Sequence, residues 1–71
     1  MIVYTKHALE RMLQRRFRKD DVEYCLDNYH TKYSDTVGNS ILKAELPGGR
    51  NIKVVMGIKG NDEIVIITVA D

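Results

Sequence analysis

The last eight residues before Asp71, Glu63 to Ala70 (E-I-V-I-I-T-V-A), constrain this chain more than any other stretch. They are β-branched and apolar on both faces of a two-residue period, so they suit a strand enclosed within a sheet and not one at its edge. An enclosed strand needs a neighbour on each side. Asn51 to Ile58 (N-I-K-V-V-M-G-I) supplies one through the turn at Gly60-Asn61-Asp62, with Ile52, Val54, Met56 and Ile58 facing inward. The only strand left for the far side is the short apolar opening, Met1 to Tyr4.

The same meander extends backward through the chain. Ser40 to Leu46 (S-I-L-K-A-E-L) places Leu42, Ala44 and Leu46 on one face, and Pro47-Gly48-Gly49 breaks it before the next strand. Thr31 to Val37 (T-K-Y-S-D-T-V) reads as the first meander strand, with Gly38-Asn39 as the turn that follows it.

Between the opening strand and the meander the period changes to that of helices. Thr5 is suited to cap a helix from Lys6 to Arg15 or Arg16, in which Ala8, Leu9, Met12 and Leu13 gather on one arc. Phe17 then turns into the core. A second helix begins in K-D-D-V-E-Y-C-L-D-N-Y, with Asp20 and Glu23 in a capping-box spacing. Its apolar stripe is Val22, Cys25, Leu26 and Tyr29, so Cys25 faces the core as an inert thiol. Tyr4 and Tyr24 read as packing residues whose hydroxyls reach water. The expected architecture is α+β: a short N-terminal strand, two helices, then a four-stranded antiparallel meander with both helices on one sheet face.

Residues 1–71 make a single domain, since a chain this small has no apolar surface for a second core. Its expected stability is about 4–10 kcal/mol, which makes a homodimer or a partner chain a reasonable cover for leftover apolar surface. With 44% hydrophobic and 30% charged residues it is a folding composition. No apolar run is long enough to span a membrane, and the expected location is the cytoplasm. One cysteine excludes an internal disulfide, no Cys/His spacing suits a metal, and no cofactor is implied.

Charge is distributed unevenly. Net charge is +1, yet residues 5 to 19 hold Lys6, Arg11, Arg15, Arg16, Arg18 and Lys19 against Glu10 alone, a local +5 that leaves −4 for the remainder. Cations complement the last turn of a helix, which accounts for Arg15, Arg16 and Arg18 but not for His7 and Arg11 in the first two turns. His7, Arg11 and Arg15 recur every four residues along one border of the helix. Forked donors and a group that titrates near neutrality suit a phosphate.

The stretches H-A-L-E-R-M-L-Q-R-R-F (His7 to Phe17), D-D-V (Asp20 to Val22) and L-P-G-G-R-N-I-K-V-V (Leu46 to Val55) resemble a family of small bacterial domains of unknown function. Its members open with H-A-x-x-R-M-x-x-R, continue into an acidic D-V helix start, and carry a P-D-G-R-type hairpin before a V-V-V strand. That family is distantly similar to the RelE, ParE and BrnT type toxins, compact α+β ribonucleases or gyrase inhibitors encoded beside an antitoxin. The resemblance implies a RelE-like fold and an antitoxin protein as partner. This chain departs from the pattern at Arg16 and Arg18, where a small turn residue such as Gly and then Ser or Thr is usual, and at Gly48, which replaces the hairpin acid beside Arg50.

These readings lead to an RNA-directed, metal-independent, toxin-like domain, an endoribonuclease in the fullest version. His7, Arg11 and Arg15 form the catalytic set: a base for the 2′-hydroxyl and cations for the phosphate. Lys6, Arg18, Lys19 and Arg50 are nucleic-acid contacts, and His30 and Tyr33 are auxiliary proton-transfer or stacking groups. The alternative is a non-catalytic module whose basic helix edge docks nucleic acid or an acidic protein. On that reading His7 merely bonds a nearby backbone group and Arg11 pairs with a carboxylate.

Overall fold

The structure, a computed structural model, describes residues 1–60 and 62–71. Asn61, the middle of the expected last turn, lies outside the described residues. The elements run β1 (Ile2–Tyr4), α1 (Lys6–Arg15), α2 (Lys19–Asn28), β2 (Thr31–Ser34), β3 (Ser40–Glu45), β4 (Asn51–Lys59) and β5 (Glu63–Ala70). The fold is α+β, two helices on a five-stranded mixed sheet of order β1-β5-β4-β3-β2. β1 runs parallel to β5, with Ile2 opposite Ile64 and Tyr4 opposite Ile66, and the other neighbours are antiparallel. The strand with two apolar faces is thus enclosed by β1 and β4, as its composition requires.

One sheet face forms the core. Leu42 and Ala44 of β3, Ile52, Val54 and Met56 of β4, and Ile66 and Val69 of β5 are buried with Ala8 and Met12 of α1, Phe17, and Val22 and Cys25 of α2. α1 packs chiefly on β5, and α2 on β3 and β4. A bulge sets which residues of β5 point inward. Met56 pairs with Ile66 but Val55 pairs with Thr68, so Ile67 is skipped. Without it the alternation would put Thr68 in the core and turn Val69 outward; the extra residue reverses the faces and buries Val69.

Several expectations change at the margins. α2 is capped from Arg18, not Asp20: the Asp21 carboxylate accepts from the Arg18 N–H at 2.9 Å, and Arg18 has no side-chain capping bond. β2 stops at Ser34 because the Asp35 carboxylate accepts from the N–H groups of Val37 at 3.0 Å and Asn39 at 2.8 Å, bending the chain into a loop. Leu9 is half exposed and Leu13 is 83% exposed. α1 has one strand chiefly beneath it, and the Ala8–Met12 row suffices to fill that contact. Tyr29 and Ile58 were expected inside but are exposed, at 43% and 69%: Tyr29 stands at the C-cap of α2 and Ile58 next to the end of β4. The Tyr4 hydroxyl does not reach water; it is enclosed without a hydrogen-bond partner, and burial, then Glu23 and Asp20, raise its pKa.

Candidate functional site

The basic helix is fastened at both ends. At its start the Thr5 hydroxyl accepts from the Ala8 N–H at 3.0 Å and donates to the Ile67 carbonyl oxygen at 2.9 Å, while the Thr5 N–H donates to Ile66 O at 3.1 Å. One side chain therefore caps α1 and ties it to the bulge of β5. At the far end Arg16 takes the left-handed conformation (φ 59°, ψ 41°). Its N–H donates to Leu13 O at 3.3 Å and the Phe17 N–H donates to Met12 O at 2.8 Å. This is a Schellman closure, with Phe17 buried against Met12, in which the usual glycine is replaced by arginine.

Arg50, from the loop before β4, completes that end. Its guanidinium donates to the Arg16 carbonyl oxygen at 3.0 Å and to the Arg15 carbonyl, and lies 3.9 Å from the Phe17 ring centroid. It satisfies carbonyls that the helix leaves open and supplies positive charge at the negative end of the dipole. Arg50 therefore has a structural post beside the basic segment, independent of any nucleic-acid contact.

His7 is exposed in the first turn, Arg11 is partly buried, and Arg15 is exposed with its guanidinium 3.2 Å from the Asp71 carboxylate. A rise of 1.5 Å per residue separates successive members by about 6 Å along the axis, and His7 from Arg15 by about 12 Å. The three form a rail, not a ring around one atom. Lys6 stands exposed at its start. Arg18 and Lys19 are exposed where α2 begins, the Lys19 ammonium 5.1 Å from the Tyr4 ring centroid.

His30 and Tyr33 lie elsewhere, His30 just before the edge strand β2 and Tyr33 within it. His30 shares an open cavity of about 390 Å³ with Asp71, over Ala44 and Ile52, so the Arg15–Asp71 pair leads from the end of the rail to this second polar patch. The His30 Nδ1 is 2.7 Å from the Thr31 hydroxyl. Asp71 was missed in the sequence because an acid beyond a strand has no pattern; only the fold carries it beside Arg15. Among the described residues no group of His, Cys, Asp and Glu side chains is arranged to hold a metal, and no helix is long and apolar enough to cross a membrane.

A family model described as "Domain of unknown function (DUF4258)" matches residues 4–71. No curated protein and no solved structure matches the chain.

Proposed function

We propose that this chain, which belongs to the DUF4258 family, is an RNA-directed domain of the toxin-like kind, with the rail of α1 as its phosphate-contacting edge. The observation that carries the proposal is the placement of Arg16 and Arg18. Arg16 occupies a left-handed position that favours glycine, and Arg18 occupies a helix N-cap that favours Ser, Thr or Asp. Cations at two locally unfavourable positions, in the same 5-to-19 segment as Lys6, Arg11, Arg15 and Lys19, are what a surface selected for binding a polyanion would retain. The likeness to RelE, ParE and BrnT type toxins, drawn from H-A-L-E-R-M-L-Q-R at His7 to Arg15, supports the same reading and names an antitoxin as partner.

In the catalytic form of the proposal, His7 accepts the proton of an RNA 2′-hydroxyl as that oxygen attacks the adjacent phosphorus. Arg11 and Arg15 hold the phosphate oxygens as charge builds, the bond to the 5′-oxygen breaks, and the departing oxygen takes a proton from solvent. No metal enters the scheme. The second reading, a binding module without cleavage, is favoured by the rail itself: residues about 6 Å apart match successive phosphates better than one reacting centre. In either form the partner is RNA, with an acidic antitoxin segment competing for the same edge.

Induced expression separates the two. For an enzyme, wild-type chain slows growth and cleaves RNA in the presence of chelator, and His7→Gln loses about 10²–10⁴ in rate while keeping its fold and RNA affinity. Cleavage retained in His7→Gln removes His7 as the base, and wild-type protein that binds RNA without cutting it leaves the module.

A further inference from the structure

The sheet has two faces, and the helices cover one. Leu42, Val54 and Ile66 point into the core beneath α1 and α2, so the residues between them along each strand point the other way. The register lines those outward residues up. Tyr33 of β2 lies opposite Ile41 of β3, Ile41 opposite Val55 of β4, and Val65 of β5 beside Val3 of β1. Ile67, the extra residue of the β5 bulge, joins them: its Cδ1 is 3.7 Å from where a Cβ on Gly57 would stand, on the outward side of β4. The six side chains make one apolar band across all five strands, each at least partly exposed, with Val3 at 36% and Tyr33 at 45%.

A solvated sheet face is ordinarily polar along every strand, and this one is polar only at its ends. Lys43 lies opposite Lys53 at one end, with Glu45 a step beyond, and Lys59 lies opposite Glu63 at the other. An apolar centre inside a charged rim is the anatomy of an interface. Three lysines against two glutamates leave the rim at +1, and the band itself has little to offer a phosphate, so neither nucleic acid nor a strongly charged protein suits it. The size suits a second copy. Five strands about 4.8 Å apart and about six residues along them give a face of roughly 500 Å². That is about a tenth of the protein's 4848 Å² of accessible surface, the share a specific interface takes, and two such faces together reach the roughly 1,000 Å² that a dimer needs.

We propose that two copies of the chain meet sheet to sheet across Tyr33, Ile41, Val55, Val65, Ile67 and Val3, as an isologous dimer with a dry β-sandwich at its centre. Two flat apolar sheets pack about 10 Å apart, and a rim so near neutrality lets identical faces approach. The helices then lie on the two outer sides. Both α1 rails stay uncovered, and the dimer stands whether or not they contact RNA.

Sedimentation of the full chain at concentrations up to about 100 μM tests the dimer, with Val55→Lys, Val65→Lys, Val55→Thr and Leu13→Lys as variants. Wild type should sediment at twice the monomer mass, and its urea midpoint should rise with protein concentration. Each outward valine-to-lysine change should raise the dissociation constant about tenfold or more, because a symmetric contact buries the new charge twice. Their circular dichroism should stay native, since the side chain enters solvent in the monomer. Val55→Thr, which keeps a β-branched shape on the strand, should weaken the dimer less than Val55→Lys does. Leu13→Lys, on the exposed side of α1, should dimerise as wild type. Wild-type protein that stays monomeric at about 100 μM overturns the dimer and leaves the band to a different partner chain. A dimer that survives both outward lysines, or one that only Leu13→Lys breaks, places the contact elsewhere and overturns it equally.

Discussion

The Arg16 N–H donates to the carbonyl oxygen of Leu13 at 3.3 Å across a left-handed turn, a bond that glycine would make without crowding from a side chain. Two residues on, Arg18 begins α2 with no side-chain acceptor for the first-turn N–H groups. Local stability and positive charge thus compete at both positions. Arg16→Gly and Arg18→Ser should each stabilise the fold by about 0.5–1 kcal/mol, seen as higher urea midpoints at unchanged m, while lowering affinity for single-stranded RNA. Substitutions that raised stability and left RNA affinity unchanged would assign these arginines no part in binding.

The hydroxyl of Thr5 both caps α1 and ties it to Ile67. Thr5→Val keeps the shape and removes both bonds, which should cost about 1–3 kcal/mol and loosen the helix that carries His7. Thr5→Ser should retain most of the stability. Equal midpoints for the valine variant and wild type would show that the tie to β5 contributes nothing.

Burial pushes the Cys25 thiol up to about 11 from 9.0, and its Sγ donates to Leu42 O at 3.7 Å. The unfolded chain therefore loses this proton first. Its contribution to stability is whole below about pH 9 and declines as pH rises from about 9 to about 11. Tyr4 is shifted in the same direction and adds to the decline from a higher starting point. Denaturation followed across that range should show wild-type stability falling more steeply than that of Cys25→Ala, which is less stable at neutral pH through its smaller core volume. Parallel curves would mean that the thiol titrates alike in both states.

Strand spacing and the enclosure of Glu63–Ala70 were legible because alternation in β3 and β4 and two apolar faces in β5 each have one economical solution. The two helices were legible from Thr5 and the acidic start at Asp20 and Asp21. What escaped were competitions between neighbours. Asp21 rather than Glu23 won the cap of α2, Asp35 stopped β2 early, and the bulge at Ile67 is invisible where every residue is β-branched. Leu9 and Leu13 were assigned to the core by helical period alone, which does not report how much sheet lies beneath. The spacing of His7, Arg11 and Arg15 gave the rail directly. The post of Arg50 at the end of α1 and the arrival of Asp71 beside Arg15 depend on contacts between residues more than thirty positions apart, for which the sequence holds no local sign.

If, as proposed, the rail of α1 contacts RNA phosphates, RNA affinity must depend on salt through Arg11 and Arg15. Affinity of the wild type for single-stranded RNA should fall linearly on a log–log plot against salt, and Arg11→Ala with Arg15→Ala should flatten the slope by about 1.4, two phosphate contacts at roughly 0.7 each. A slope unchanged by the pair of substitutions, or no binding by wild type at low salt, would show that the α1 rail does not contact RNA.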